Sequence, residues 1–583
     1  MKMINNIYKK FVLVVAVLGA TIMTSCTDFL TIIPPDKIVD ENFWQREEEV
    51  NGMLATSYLK LISTDAVEKA IVWGEIRADN LKYPPSYDND IKYIIEANIL
   101  DDNRFAKWGV YYEAINYANL VIKRAPEVVE RDPDFEEGDL NIVLGEMYAM
   151  RALCHFYLVR TFRDIPMAMV PADNDADIPS YEQVHPLEAL KLIMQDLDTA
   201  YPLAMASGKN MNISSNYGRI TKNAILAMKA DVALWQAAFA TYYEGESDLV
   251  KGGDIAKYYT ECIDNCRKVL DNMNKLYEDE LKGKPLPEKN PYLLIENEGE
   301  LKELRKSFES NAYEAIFGAR NSSESIFEHQ VEGDNVEQNY CYGIYSMYGT
   351  NGNVAKVAVP TSFENKYEKD DLRRYSYINV SAKDNKGYYA VAKYTAAGSN
   401  ATDYRDGQTL NANWIVYRKT DIMLMLAEAL ASQPGAGTEE FKEAYNIVKA
   451  VNFRSRYGTD DKVVRTDIER QDVKSFSPQQ KVNEALYMTR EACIDLVLEE
   501  RLRELAFEGK RWYDLVRKAL CEKTTKNITF VADKLDSNSG VVKSKMSSID
   551  GLFFPIHIDE IRYNKNLKQN PAYATTTSST EMK

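Results

Sequence analysis

The run GEMYAMRALCHFYLVRTF, Gly145–Phe162, keeps a helical period over its whole length. Met147, Met150, Cys154, Tyr157 and Thr161 step by 3, 4, 3 and 4 residues, so they share one face of a helix. Ala149 and Ala152 leave room for a neighbouring helix to approach closely. Arg163-Asp164-Ile165-Pro166 ends the run, because proline disfavours helical backbone in the residue before it. Amphipathic stretches of the same period recur near 46–62, 106–125, 187–200, 219–242, 254–275, 419–432, 440–454 and 487–520. They fall in pairs separated by polar loops, the pattern of packed helical hairpins. No clean 34-residue repeat is visible, so any repeats are divergent. The expected fold is mainly α: tetratricopeptide-like helical hairpins packed as one large domain, with a loop-rich insert containing a few short strands.

That insert is expected over 311–413, where Gly, Asn, Ser, Asp and Tyr are frequent and strand-like runs (ESIFEHQV, YYAVAKY) are short. Long irregular segments in a compact protein are usually functional, so the insert is the expected ligand-binding region. A helical scaffold is expected over 46–310 and a C-terminal helical region over 414–583. The longest helical signal is ACIDLVLEERLRELAFEGKRWYDLVRKAL. Ile494, Leu498, Leu502, Leu505, Trp512, Val516 and Leu520 make one apolar stripe, with Gly509 on its line. Glu499–Arg503 and Asp514–Lys518 have the spacing of favourable helical ion pairs. Such a density of charge reads as a half-buried ionic network locking the last helices to the bundle, not as catalysis.

The start of the chain has a different character. Lys2, Lys9 and Lys10 precede the apolar stretch Phe11–Met23, whose thirteen residues are too few to span a bilayer. A basic start, a short apolar core and small residues at Thr24 and Ser25 describe a cleaved export signal over 1–25. Met-Thr-Ser-Cys resembles a lipobox, which makes Cys26 the expected lipidation site and first mature residue. Residues 26–45 then form a tether on the membrane. No second apolar run is expected to approach membrane length.

Without those three lysines, the 71 basic side chains fall to 68 against 88 acids, a formal −20. Nucleic-acid binding needs a basic face, so that class is set aside. Six cysteines follow Cys26, at 154, 262, 266, 341, 493 and 521, with no C-x-x-C among them. Cys262 and Cys266, one helical turn apart, read as packing residues. The four histidines (155, 185, 329, 557) are scattered, so neither a metal nor any other cofactor is expected.

Catalytic motifs are missing: no G-x-S-x-G, phosphate loop, G-x-G-x-x-G or H-E-x-x-H. DNDAD at Asp173–Asp177 lacks a calcium loop's Gly and Glu, which Ile178 and Val184 replace, so it reads as a polar turn. A pair of glycosidase carboxylates cannot be picked from 88 acids by spacing. What stands out is 38 tyrosines, twice the number of phenylalanines, many of them in polar loops. An exposed phenol ring offers a flat apolar face and a polar edge, which suits the C–H face and hydroxyl rim of a sugar. Any single tyrosine reads as a staple of its loop onto the core; the cluster reads as a binding face. The candidate ligand residues are Trp73, Asp79, Asn80, Tyr83 and Tyr87 in an early loop, and Tyr340, Tyr342, Tyr345 and Tyr348 in the insert. Trp108, in KWGVYYEAINYAN, reads as core.

Several segments together resemble one family. SCTDFL is similar to the mature start of SusD/RagB-type lipoproteins of the Bacteroidetes outer membrane. YAMRALCHFYLVRTFRDIPM resembles their helix and Gly-Asp-x-Pro-like turn, with Arg163 in the usual glycine position. WIVYRKTDIMLMLAEAL resembles R-x-x-D-x-x-L-x-x-A-E-A. ERLRELAFEGKRWYDLVR matches E-R-x-x-E-L-x-F-E-G-x-R-W-x-D-L-x-R. FFPIHIDEIRYNKNLKQNPAY resembles the closing P-I-P…E-I…N-x-x-L-x-Q-N-P-x-Y, with His557 for the second proline. The matches run from Cys26 to Tyr573. The resemblance implies a non-catalytic protein, lipid-anchored at the outer membrane and facing the cell exterior. It would bind a glycan as the lid of a SusC-like TonB-dependent transporter. The shared motifs lie in the scaffold and assign no ligand residue. A peptide or other non-glycan receptor and a lipid-anchored glycan hydrolase are the alternatives.

Overall fold

The computed structural model describes residues 43–84, 87–172, 179–208, 217–246, 248–280, 313, 316–317, 320–331, 340–345, 356–368, 371, 373–379, 388–394, 412–456, 484–535 and 538–574. Cys26, DNDAD and Tyr348 lie outside the described residues.

Helices begin where the sequence supplies a cap. Ser63 Oγ accepts the Ala66 N–H, so α2 (Thr64–Ile71) starts directly after α1 (Glu47–Leu61). Asp88 caps α3 (Asn89–Ile95) in the same way. Long helices α4 (Gly109–Val128) and α5 (Glu137–Phe162) follow. α5 ends at Arg163, whose φ of 68° and ψ of −73° form a γ-turn closed by Asp164 N–H to Phe162 O at 3.0 Å. Strands β1 (Ile165–Pro166) and β2 (Gln183–Val184) then pair antiparallel, Ile165 opposite Val184. Pro186 opens α6 (Pro186–Leu203), with His185 Nδ1 accepting the Leu187 N–H. α7 (Lys222–Tyr242) and α8 (Asp254–Glu280) complete the first section.

Each of these helices from α4 onward packs on the next: α4 on α5, α5 on α6, α6 on α7 and α7 on α8, while α1 lies against α4. Seven alanines between Ala224 and Ala240 suit the centre of such a stack, since alanine is both the best helix former and small enough for close approach. α5 is buried from Val143 nearly to its end. By length and composition α5 could cross a membrane, which corrects the expectation that no second run would approach that length. Its residues are instead a core layer of the bundle. Trp108 is buried, as expected. So are Cys262 and Cys266, which carry free thiols.

In the second section, β3 (Ser325–His329) pairs antiparallel with β7 (Trp414–Arg418). Between them lie α9 (Tyr340–Tyr345), β4 (Val359–Pro360), α10 (Arg373–Tyr377), β5 (Ile378–Asn379) and β6 (Tyr388–Val391), with β6 central between β4 and β5. β3 and β6 fall on the two strand-like runs of the sequence. α11 (Lys419–Ser432) continues straight from β7 and packs on α8, carrying the stack into α12 (Thr438–Arg456) and α13 (Arg490–Leu505).

The single stripe expected through 487–520 is two helices. α13 stops at Leu505, and α14 (Arg511–Cys521) starts after a turn with positive φ at Phe507 (68°) and Gly509 (70°). Two short helices, α15 (Ser539–Lys545) and α16 (Ile558–Tyr563), follow.

The expected ionic network exists, and apart from the partly exposed Arg503 it is fully rather than half buried. Glu504 accepts from Arg418 at 2.9 Å, Arg454 at 2.5 Å and Arg373 at 3.1 Å. Glu508 takes Arg418 and Lys393, Glu500 takes Arg373 and Arg503, and Glu324 and Asp371 close the set. Five cations thus face five anions, so the desolvated cluster is close to neutral and each charge has a partner. Asp514 joins Arg501 and Arg517 rather than Lys518, which reaches Asp495 and Glu522 instead. The Glu499–Arg503 contact is a long 4.0 Å, because Arg503 prefers Glu500 at 2.7 Å.

Candidate functional site

The early loop divides into two parts. α2 runs on into a π-turn, Val72–Ile76, and the residues that follow turn their polar groups inward. Glu75 accepts the Phe507 N–H at 2.6 Å and the Lys510 N–H at 3.0 Å, and also the Asn80 amide. Burial outweighs those donors and pushes its carboxyl up to about 7. Arg77 donates to the carbonyls of Leu552 and Gly551, both at 2.6 Å, and lies 4.2 Å over the Trp512 ring. Lys534 donates to the carbonyls of Ile76 and Ala78, and burial pulls its amine down to about 7. At Gly74 the backbones touch: a Cβ there would lie 1.8 Å from the Gly509 carbonyl oxygen. The stretch WGEIRADN is therefore a clamp between the N-terminal helices and the α13–α14 turn.

Three candidate ligand residues belong to that clamp, which corrects their assignment. Trp73 has no exposure, donates Nε1–H to Phe105 O at 2.8 Å and stacks on Tyr111. Asn80 is equally buried and bonds Glu75. Asp79 pairs with Arg511 at 3.0 Å with only 11% of its side chain exposed. Tyr345 is corrected for the same reason. Its ring is enclosed by Tyr394 and Phe507, and its hydroxyl donates to Phe507 O at 2.9 Å.

Tyr83 and Tyr87 remain at the surface. Their rings meet edge to face at 5.4 Å, and Tyr87 is 43% exposed. Tyr83 Oη donates to Glu96 Oε1 at 2.8 Å; burial and that carboxylate push the phenol well up. Asn538, from the far end of the chain, donates to the same oxygen at 3.1 Å. The Lys92 ammonium lies 4.4 Å from the Tyr87 ring centre and 5.7 Å from that of Tyr83. Arg104 holds Asp88 at 2.6 Å and Asp90 at 2.7 Å, fixing the base of the loop.

The insert reaches the same face. Lys82 and Ala358 exchange both backbone hydrogen bonds, at 2.9 and 2.8 Å, and Lys356 pairs with Glu68 on α2 at 2.9 Å. The Lys82 ammonium lies 4.4 Å over the Tyr388 ring. α9, which carries Tyr340 and Tyr342, packs on α2. The structure thus brings the two tyrosine-bearing segments of the sequence to one side of α2. Lys92, Glu96, Tyr388 and Asn538 were not singled out from sequence. Of these, only Lys92 and Glu96 carried a signal, the i,i+4 spacing of KYIIE.

Phenol rings flanked by an amide, an ammonium and a carboxylate can stack on a flat apolar face and hydrogen-bond its polar rim. Among the described residues no cluster of His, Cys, Asp and Glu is arranged for a metal. The histidines have other partners or surroundings. His185 and His557 cap helices, His155 receives the Ala168 N–H, and His329 is enclosed in β3.

A stack of helical hairpins presenting a loop face describes a binding scaffold. The chain belongs to the SusD family: the model described as "SusD family" matches residues 272–573, and one described as "Starch-binding associating with outer membrane" matches 28–234. Among curated proteins it is 25% identical to SusD-like protein P38 of Formosa agariphila, over 89% of this chain and 92% of that one. It is 24% identical to SusD-like protein P2 of the same organism, over 72% of each. Among solved structures, a SusD superfamily protein of Bacteroides vulgatus superposes with a TM-score of 0.62 at 18% identity, covering 91% of this chain and all of that one. B. fragilis NanU superposes with a TM-score of 0.60 at 19% identity, over 93% of this chain and all of that one. These likenesses carry the mainly helical fold. None of these relatives has an enzyme's name.

Proposed function

We propose that this protein captures glycans at the cell surface and passes them to a SusC-like TonB-dependent transporter without cleaving them. Cys26 would hold it on the outer membrane, facing the exterior. The observation that carries the reading is the Tyr83–Tyr87 pair, with Tyr87 exposed and Tyr83 half-buried, hydrogen-bonded at its edge and set beside the insert. Family membership and the outer-membrane description of the N-terminal match support the setting. A tether of some twenty residues would keep the binding module beside its pore at high effective concentration.

The test is affinity electrophoresis of the protein lacking residues 1–26 through gels holding a panel of polysaccharides. A variant with Tyr83 and Tyr87 changed to alanine runs alongside. Retardation by one glycan class, lost in the variant and with no sugar released, is the expected result. Retardation that survives the double change would move the site toward Tyr340 and Tyr342. No retardation by any glycan would favour a peptide receptor, and released sugar would favour a hydrolase.

A further inference from the structure

We infer that the face selects an anionic glycan, one bearing carboxylate or sulfate groups, and that Lys92 is the residue that makes the selection. The inference rests on the glycan reading and sharpens it. Lys92 and Glu96 stand four residues apart, a spacing at which opposite charges on a helix ordinarily meet. Here they do not. Glu96 is engaged by Tyr83 Oη at 2.8 Å and Asn538 Nδ2 at 3.1 Å. Among the described residues Lys92 has no carboxylate within ion-pair distance; its ammonium donates to Tyr87 Oη at 3.3 Å and rests over the ring. The other acids at the base of the loop, Asp88 and Asp90, are both held by Arg104.

A cation over an exposed aromatic face is held weakly, more weakly than by a charge-assisted hydrogen bond to an anion. A sugar stacking on Tyr87 must displace the ammonium from the ring. A neutral sugar offers it only hydroxyl oxygens, uncharged acceptors no better than the water they replace. An acidic sugar offers the displaced ammonium a carboxylate or sulfate oxygen at its rim, so displacement is offset by a stronger contact. The formal charge of −17 makes the chain as a whole repel polyanions, so any preference for them must arise locally. That repulsion fades over about 8 Å at physiological salt, leaving short-range contacts to decide.

The test compares the full chain, solubilised in detergent, with Lys92→Met and Lys92→Arg. Each is titrated with acidic polysaccharides and their neutral counterparts: polygalacturonate and its carboxyl-reduced form, dextran sulfate and dextran, and further such pairs. The expected result is tighter binding of the acidic member of at least one pair. Lys92→Met should cost that member about three- to tenfold, leave the neutral member unchanged or slightly tighter, and Lys92→Arg should restore the preference. Unchanged melting would show that the variants fold. Neutral members bound as tightly as acidic ones, or an acidic preference that survives Lys92→Met, would overturn the inference and leave glycan capture standing. Binding of no polysaccharide by any variant would remove both.

Discussion

Residues 73–80 and 82–96 follow one another in the chain and use the same kinds of side chain, yet they serve different ends. In WGEIRADN the polar groups are consumed inside the protein. Glu75 takes backbone N–H groups of the α13–α14 turn, Arg77 takes two carbonyls, Asp79 takes Arg511, and Asn80 takes Glu75. In the stretch that follows, two tyrosine rings stand half out of the surface and an ammonium rests on them. Tryptophan, aspartate and asparagine look better suited to a sugar than a lysine does. What separates site from scaffold is where each group's hydrogen bonds already end.

The widest gap between the two parts should appear on truncating one ring from each. Trp73→Ala removes a fully enclosed indole and unpairs Phe105 O, for a cost of about 3–5 kcal/mol. Tyr87→Ala should change stability by less than about 1 kcal/mol, as a surface substitution does. Urea midpoints read both, and equal losses would erase the distinction between clamp and face. Gly74→Ala presses on the clamp in another way. The added Cβ meets the Gly509 carbonyl, where neither backbone has slack, and the expected cost is about 3 kcal/mol. Gly52→Ala, in α1 with nothing within 4 Å of the new Cβ, is the control and should stabilise by about 0.5–1 kcal/mol.

The clamp should also carry a pH signature that the face lacks. Burial raises the Glu75 carboxyl from 4.5 to about 7 in the folded chain. A group whose folded value lies above its unfolded one favours folding while protonated. Its contribution is therefore whole below about pH 4.5 and is lost as pH rises through 7. Glu75→Gln removes that proton, at the cost of setting an amide N–H against backbone donors. The variant should be the less stable at pH 5, and the difference should shrink toward pH 7, by up to about 3 kcal/mol. A difference that stays flat with pH would mean that the Phe507 and Lys510 amides hold the carboxylate charged throughout.

The helices were legible because their signal is local: 419–432 and the start of α8 at Asp254 fall where the periodicity put them. The break at Phe507–Gly509 was hidden because the apolar stripe resumes in phase, and only the positive φ angles reveal it. Local spacing proposed Asp514–Lys518, while the fold supplies Arg501 and Arg517. Glu504 finds its partners at positions 373, 418 and 454, at separations no pattern reports. The face divides in the same way. Tyr83 and Tyr87 stood out beside PPS, but Asn538, which shares the Glu96 carboxylate with Tyr83, comes from 451 residues beyond Tyr87. Trp73 and Tyr345 were misread because a ring in a polar stretch says nothing about its burial.

The smallest expected effect asks whether the exposed part holds its own shape. Asp88 does two local jobs: it accepts the Ile91 N–H as cap of α3 at 3.2 Å and pairs with Arg104 at 2.6 Å. Despite partial burial, Arg104 keeps its carboxyl below the usual range. Asp88→Ala should therefore cost about 1 kcal/mol, felt within the loop and α3 alone. Amide hydrogen exchange at residues 91–95 should quicken about fivefold while the global urea midpoint stays put. Glycan retardation should weaken too, because Lys92 and Tyr87 lose a common base. If exchange quickens and binding holds, the rings are positioned by the Lys82–Ala358 bridge, and the insert shapes the face more than the loop does. If the global midpoint falls with it, the loop is no independent element but an extension of the clamp, and the boundary between the two parts lies beyond α3.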